Sequence, residues 1–486
     1  MNMGKRSLEE MKTMHDGATS NSNNNDDDDP MDVDENKAMP SDSLETKAAA
    51  SKLTIPERGS LHTLMNRSSP FANEEGALAI GEFEPSAAST TSLSKNKVLV
   101  VGAGGLGCEL LKDLAMSGIK DVHVIDLDTI DVTNLNRQFL FRQKDVGSSK
   151  AKVAAAFIND RCPWMNVTAH HGMIQDKDPS FYAGFKVILS GLDNVEARRW
   201  LNSTVVSMVE FDEDGDLVPD SIVPIIDGGT EGFSGQARMI LPRITSCFEC
   251  SLDLFPPQRS FPLCTIAETP RKPEHCIAYA FILLWPKEFP DKKLDKDSPE
   301  DMKWVYEQAL ERASKYNIDG VTYMLTMGVV KNIIPAVAST NAIVSAVCVL
   351  EAVKYLTFCS QTLNTYMRYQ GAEGVYSHTF AFELKEDCPV STSKVRTVTV
   401  PITTTLNELL HKLCDDNGDL RLKAPSMTTS EKTLYMQKPP ALNASTRPNL
   451  DKPLSELVDE GEEIAVTDPV LGHTHLSLAI QFETTS

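Results

Sequence analysis

The chain has 486 residues, enough for about three domains of roughly 150 residues each. Its apolar fraction of 41% and charged fraction of 24% are ordinary for a soluble globular protein. The 68 acidic side chains exceed the 47 basic ones, and the formal net charge of −21 argues against a nucleic-acid-binding protein or one that docks on an anionic membrane. Ten cysteines spread over this length indicate a reducing compartment, with thiols that bind metal or react.

The first residues carry much of this acidity. Residues 1–50 hold twelve acidic and five basic side chains, including the run from Asp26 to Asp29. Such a segment has too little apolar surface to order itself, so we predict a disordered acidic tail over residues 1–55. The start also lacks the apolar stretch of a secretory signal, and we expect a cytoplasmic and nuclear protein.

A nucleotide-binding pattern begins at residues 97–101, a short β-branched run that we interpret as a buried parallel strand. A Gly-x-Gly-Gly-x-Gly turn follows, and its glycines are Gly102, Gly104, Gly105 and Gly107. Leucines at helical spacing come next, and a second strand, residues 122–125, ends at Asp126. The glycines let the backbone approach phosphate, and Asp126 is placed to bind a ribose. The pattern predicts a nucleotide site without separating ATP from NAD; the alternative is a turn that only lets helix and strand pack.

Polar side chains after the second strand favour ATP. The loop carries Asn134, Arg137 and Gln138, and Lys150 begins the next helical stretch. A nicotinamide would need an apolar slot here, whereas cations stabilise a triphosphate as one phosphate is displaced.

A carboxylate stands at the end of a further strand, residues 187–190. Asp193 follows this strand, so we expect it at the ligand-binding edge of the sheet, where it would hold Mg²⁺ with substrate phosphates. The alternative is that Asp193 and Asn194 only cap the next helix.

Together these motifs resemble the adenylation domain of ubiquitin-like modifier activating enzymes. The match comprises the glycine turn, the Asp-x-Asp-x-Ile-Asp-x-x-Asn-Leu-Asn-Arg-Gln-Phe run, Lys150 and Gly-Leu-Asp-Asn, over about 130 residues. The resemblance implies that Asp126 binds the ribose and that Asn134, Arg137 and Lys150 hold the triphosphate, with Asp193 serving Mg²⁺. It also implies the reaction, in which the C-terminal carboxylate of a small protein attacks the α-phosphate of ATP and pyrophosphate leaves.

Three cysteines suggest a zinc site. Cys247 and Cys250 form a CxxC pair, and Cys388 lies far downstream. The family has a four-cysteine zinc site built from two such pairs, but here Ser391 occupies the expected fourth position. We therefore expect Zn²⁺ held by three thiolates and a further ligand; the alternative is three reduced structural cysteines.

Cys264 is the candidate nucleophile. An isolated cysteine in an apolar run is usually buried, but the Cys-Thr-Ile segment before Pro270-Arg271 resembles the thioester cysteine segment of the heterodimeric activating enzymes. Thr265, Arg271 and His275 are candidates for tuning its thiol.

We predict an α/β protein with a doubly wound Rossmann-like adenylation domain, a helical catalytic-cysteine insertion and a C-terminal α+β ubiquitin-like domain. An uncharged run over 332–350 is nearly long enough to span a membrane, but we expect a buried helix there because it contains Pro335 and several polar residues. The predicted boundaries are a tail at 1–55, an adenylation domain at 56–258 and 332–392, a cysteine domain at 259–331, and a ubiquitin-fold domain at 393–486.

The resemblance also implies partners. One adenylation domain in 486 residues is typical of the catalytic subunit of a heterodimeric enzyme, which needs an inactive-half regulatory subunit, a ubiquitin-like modifier and a conjugating enzyme. The likeness is greatest to the neddylation type, where an arginine matching Arg238 rejects ubiquitin by like-charge repulsion; the alternative for Arg238 is an exposed strand charge. Competing readings of the chain are a SUMO-type subunit, an NAD-dependent oxidoreductase and a non-catalytic nucleotide-binding scaffold.

Overall fold

The computed structural model describes residues 60–65, 87–255, 270–290, 292–296, 298–330, 336–360, 363–392, 394–416 and 418–483. The predicted acidic tail and Cys264 lie outside the described residues. The described strands are β1 (Lys97–Val101), β2 (Asp121–Asp126), β3 (Asn166–His171), β4 (Val187–Ser190), β5 (Ile225–Glu231), β6 (Ser234–Ile240), β7 (Tyr366–Gln370), β8 (Tyr376–Phe380), β9 (Arg396–Val400), β10 (Ser426–Thr428), β11 (Thr433–Tyr435), β12 (Glu463–Thr467) and β13 (Leu476–Phe482). The described α-helices are α1 (Ser60–Met65), α2 (Ala87–Lys95), α3 (Gly105–Met116), α4 (Lys150–Arg161), α5 (Pro179–Ala183), α6 (Val195–Ser207), α7 (Pro273–Ala278), α8 (Trp285–Glu288), α9 (Pro299–Lys315), α10 (Tyr323–Val330), α11 (Ala338–Thr357), α12 (Leu406–Cys414), α13 (Pro440–Thr446) and α14 (Leu454–Leu457).

The larger sheet has the order β3-β2-β1-β4-β5-β6-β7-β8. Strands β1 to β5 run parallel to one another, and β6, β7 and β8 extend the sheet beyond β5 in antiparallel pairs. Val98, Leu99 and Val100 are fully buried because helices cover both faces of the parallel part, which explains the continuous apolar run in the sequence. The predicted doubly wound sheet is confirmed.

Helix α11 is the element that the uncharged run predicted. It packs against α3 and against β5 and β6, and Ser345 donates a hydrogen bond to Asp113 of α3. Among the described residues it is the single helix long and apolar enough to cross a membrane, and 61% of its most apolar window is buried inside the protein. The apolar composition thus fits the predicted core position.

The described part of the insertion is helical. Helices α7, α9 and α10 enclose a separate apolar core that includes Trp285, Met302 and Val305. A single π-helical segment, Tyr279–Leu284, joins α7 to α8. This core gives the insertion packing of its own, as the predicted helical domain requires.

The C-terminal module is a five-stranded sheet of order β11-β10-β12-β13-β9. β9 and β13, the first and last strands of the module in sequence, pair in parallel. Helix α12 lies between β9 and β10 in sequence. A capping box begins α12, since the Glu408 N–H donates to Thr405 Oγ and the Thr405 N–H donates to the Glu408 carboxylate. The predicted α+β ubiquitin-like domain is confirmed.

A buried arginine joins this module to the adenylation domain. Arg199 of α6 donates through Nε to Glu249 at 2.9 Å and through its Nη atoms to the carbonyls of Leu420 and Arg421. Arg199 and Glu249 are both almost fully buried, so each depends on the other and on those carbonyls to compensate its lost hydration.

Candidate functional site

The glycine turn brings the backbone of β1 and α3 unusually close together. Gly102 has φ +95°, which favours glycine, and a Cβ on Gly107 would lie 2.0 Å from the carbonyl oxygen of Gly102. A Cβ on Gly102 would in turn lie 3.0 Å from the carbonyl oxygen of Gly191, in the loop after β4. The N-terminus of the twelve-residue helix α3 therefore opens at the crevice between β1 and β4, where an anion is favoured.

Asp126 closes the side of this turn. Its carboxylate accepts hydrogen bonds from the Ala103 N–H at 2.6 Å and from the Asp128 N–H at 2.7 Å. Burial raises the pKa of Asp126, while the Ala103 N–H and the charge of Lys150 act in the opposite direction. A carboxylate has about four acceptor positions, so two remain for ribose hydroxyls.

Lys150 stands at the first position of α4 with an almost buried ammonium group. Its Nζ lies 2.7 Å from Oδ2 of Asp128, whose side chain is 54% exposed. The Lys150 N–H also donates to the Asp128 carbonyl, which ties the start of α4 to the end of β2. Asp128, which the sequence pattern does not mark as a site residue, therefore holds the cation at the edge of the crevice.

The loop between β2 and α4 is ordered by its own side chains. Asn134 accepts the Asp131 N–H, while Asp131 accepts the Thr133 N–H, so Asn134 is part of a cap at the start of this loop. Arg137 donates to the Thr133 carbonyl and to Asn136 Oδ1. These bonds hold the backbone of the loop in place.

Arg137 and Gln138 lie at the crevice side of this loop. Burial lowers the pKa of Arg137, and the negative charge of Asp193 raises it. Gln138 is 2% exposed, and its Oε1 has no hydrogen-bond partner among the described residues. Gln138 thus retains an unused acceptor, and its Nε2 would lie 3.9 Å from a Cβ on Gly104.

Asp193 and Asn194 have different roles. Asn194 caps α6 by accepting the Ala197 N–H at 2.7 Å, as the structural alternative predicted for it. Asp193 is exposed, makes no cap and acts electrostatically on Arg137. The preceding loop is held by Arg198, which donates to the carbonyls of Leu192 and Gly228.

Arg238 is not the exposed strand charge that one interpretation suggested, because only 2% of it is exposed. Its guanidinium packs against the rings of Phe248 and Tyr366, and its Nε lies 3.8 Å from Asp227. Asp227 also pairs with Arg198 at 3.5 Å, so two guanidinium groups share one carboxylate. Nε and Nη2 of Arg238 have no hydrogen-bond partner among the described residues. The environment of Arg238 is therefore positively charged.

The three predicted metal-binding cysteines come together. Their Sγ atoms all lie within 4.8 Å of one another, with Cys247 3.7 Å from Cys250 and 3.6 Å from Cys388. Ser391 is also buried, its N–H donates to Cys388 Sγ, and its Oγ has no hydrogen-bond partner among the described residues. Burial raises the pKa of Cys247 to about 11, whereas a hydrogen bond from Cys247 lowers the pKa of Cys250. Three soft thiols around one point suit Zn²⁺.

Cys108, Cys162, Cys276, Cys348 and Cys359 are also buried. Burial raises the pKa of Cys108, behind the glycine turn, to about 12, which disfavours the reactive thiolate form. His275 accepts the Arg271 N–H within the insertion, which suits a packing role. That Thr265, Arg271 and His275 tune the thiol of Cys264 stays a prediction.

The chain is similar in sequence to known protein families and to individual proteins. A family model described as the ThiF family matches residues 77–390, and one described as an E2 binding domain matches residues 399–482. The NEDD8-activating enzyme E1 catalytic subunit of Dictyostelium discoideum is 50% identical over 434 residues, which cover 87% of this chain and 96% of the relative. The Nedd8-activating enzyme E1 catalytic subunit of Drosophila melanogaster is 48% identical over 417 residues, covering 84% of this chain and 91% of the relative.

Proposed function

Since the chain belongs to the ThiF family and, within it, to the NEDD8-activating enzyme E1 catalytic subunits, we propose that it activates NEDD8 with ATP and passes it to a conjugating enzyme. The observation that carries the mechanism is the convergence of the glycine turn, Asp126, Lys150 and Asp193 at the carboxyl ends of β1, β2 and β4. The cations beside this crevice do not suit a nicotinamide, which argues against an NAD-dependent oxidoreductase. The E2 binding domain favours an enzyme that transfers the modifier to a conjugating enzyme over a non-catalytic nucleotide-binding scaffold.

In the first step the triphosphate lies on the glycine turn. Asp126 binds the ribose hydroxyls, and Asn134, Arg137, Gln138 and Lys150 hold and polarise the phosphates. The C-terminal carboxylate of NEDD8 forms a bond to the α-phosphorus, the bond to the bridging oxygen breaks, and pyrophosphate leaves with its electron pair. The local cations stabilise charge that builds up on the phosphate oxygens.

Magnesium fits the oxygen ligands of this site. Exposed Asp193 at the end of β4 would hold Mg²⁺ together with the phosphates. The ion neutralises phosphate charge when bound, and Arg137 and Lys150 contribute the protein's own positive charge to the same task.

In the second step the thiolate of Cys264 attacks the acyl carbon of the adenylate. A thioester forms and AMP leaves. The ubiquitin-fold domain then recruits the conjugating enzyme, whose cysteine thiolate takes the acyl group and releases the Cys264 thiolate. We also propose an inactive-half regulatory subunit as the obligate partner, and the cytoplasm and nucleus as the location.

The experiment is a thioester assay with the partner subunit, ATP and, in parallel, NEDD8, ubiquitin and SUMO. We expect a thiol-reducible adduct with NEDD8 and pyrophosphate exchange that depends on it. A preference for SUMO or ubiquitin, or exchange with no modifier present, would contradict the proposal.

Replacing Arg238 tests modifier selection. We expect Arg238→Gln to raise the use of ubiquitin about tenfold or more relative to wild type, because two guanidinium groups around one carboxylate repel an arginine in the modifier tail. Competition between NEDD8 and ubiquitin in the thioester assay measures this ratio. Gln236→Met, on the same strand as Arg238, removes the hydrogen bond to Asp227 without changing the charge and is the control for packing damage. An unchanged ratio in Arg238→Gln would remove Arg238 from selectivity.

The zinc site is tested at its unusual fourth position. Cys247, Cys250 and Cys388 would hold Zn²⁺ with Ser391 or water, and thiolate is the stronger ligand. We expect Ser391→Cys to retain zinc against chelator at least about tenfold longer than wild type, measured by metal analysis of the dialysed protein. Ser391→Ala controls for loss of the hydroxyl. Equal metal loss in wild type and Ser391→Cys would show that position 391 is not a ligand position.

A further inference from the structure

Asn341, in the first turn of α11, lies directly against the glycine turn although 236 residues separate it from Gly105. A Cβ added to Gly105 would lie 2.4 Å from Nδ2 of Asn341 and 3.6 Å from Cγ of Arg137. Gly105 is therefore needed partly because the Asn341 amide occupies the adjacent space.

The orientation of this amide is fixed from the other side. Oδ1 of Asn341 accepts the hydroxyl of Thr230 on β5 at 2.7 Å, and neighbouring Thr340 donates to the Gly232 carbonyl at 2.9 Å. These bonds tie the start of α11 to the β5–β6 hairpin. With the oxygen engaged, the amide nitrogen is the group turned toward Gly105.

That nitrogen donates no hydrogen bond to a described residue. Only 2% of Asn341 is exposed, but Nδ2 itself is not fully buried, so it reaches the surface of the crevice. A donor at the surface of a largely enclosed crevice is free to bond a ligand oxygen that displaces water from it. The N-termini of α3 and α11 both lie at this point, and each favours negative charge. An unpartnered donor between two helix N-termini and Arg137 is matched to an anionic oxygen.

We propose that Asn341 donates a hydrogen bond from Nδ2 to an anionic oxygen of the reacting pair at the glycine turn. The oxygen belongs to a phosphate of ATP or to the C-terminal carboxylate of the modifier, which meet in this crevice. Thr230 is a positioning residue, because it acts through Asn341. The inference rests on the proposed adenylation and adds a residue to it.

Asn341→Asp is the decisive variant. It keeps an acceptor for Thr230 and the side-chain volume, but it replaces the donor by a negative charge that repels the ligand oxygen. We expect a loss of at least about thirtyfold in kcat/KM for NEDD8-dependent pyrophosphate exchange, and a smaller loss of about threefold to tenfold in Thr230→Val. Ser345→Ala, one turn along α11 and bonded to Asp113, is the matched control for helix packing.

Two measurements on the enzyme with its partner subunit separate the sources of the oxygen. ATP affinity is titrated without modifier, and exchange is measured against NEDD8 concentration at saturating ATP. A phosphate contact weakens ATP binding at least about tenfold in Asn341→Asp, whereas a carboxylate contact leaves ATP binding intact and lowers kcat or raises the KM for NEDD8. Both parameters within twofold of wild type, or an equal loss in Ser345→Ala, would overturn the inference. Failure of exchange in the wild-type enzyme would instead contradict the proposed function.

Discussion

Cys264→Ala is expected to abolish the thiol-reducible NEDD8 adduct while leaving ATP–pyrophosphate exchange within about twofold of wild type. The two steps use different groups, since adenylation takes place at the glycine turn and needs no thiol. Cys264→Ser should give an adduct that forms more slowly and resists reducing agent, because a hydroxyl forms an ester in place of a thioester. Gel analysis with and without reducing agent measures both results.

Other cysteines supply the control for this experiment. Cys414→Ala changes a partly buried cysteine of α12 and should leave adduct formation intact. A thiol-reducible adduct in Cys264→Ala would show that another cysteine is the nucleophile. Loss of exchange in the same variant would show that the substitution had damaged the adenylation domain.

Local patterns were sufficient for much of the fold. Residues 97–107 encode a buried strand, a glycine turn and a helix N-terminus in consecutive positions, and the structure has each of them at the predicted place. The capping box at Thr405 is similarly local. The domain boundaries and the function of each site residue stay predictions.

Contacts between distant residues could not be predicted in this way. Arg199 pairs with Glu249 only because α6 packs beside the cysteine pair and the C-terminal module, and Arg238 is buried only because β6 places it beside Asp227. Asn341 was visible in the sequence merely as a polar interruption of an apolar run. Its role depends on α11 returning to the glycine turn from the far side of the insertion.

Lys150→Ala is expected to lower kcat for exchange by about 100-fold or more, because it removes the cation nearest the crevice from a step that concentrates charge on phosphate oxygens. The folding stability should change little, since the Asp128 partner is half exposed and remains hydrated. Asp128→Asn is the matched control. It keeps the shape of the pair but leaves Lys150 unneutralised, so it should retain most of the activity.

Lys150→Ala should also change the pH dependence of pyrophosphate exchange. Burial already raises the pKa of Asp126, and Lys150 lowers it, so Lys150→Ala should raise that pKa further. A larger fraction of Asp126 is then protonated at any mildly acidic pH, and the acidic limb of the exchange profile should move to higher pH. Asp128→Asn removes a negative charge near Asp126 and should move the limb in the opposite direction. Exchange within about threefold of wild type in Lys150→Ala, with an unshifted profile, would show that Lys150 only packs α4 against β2.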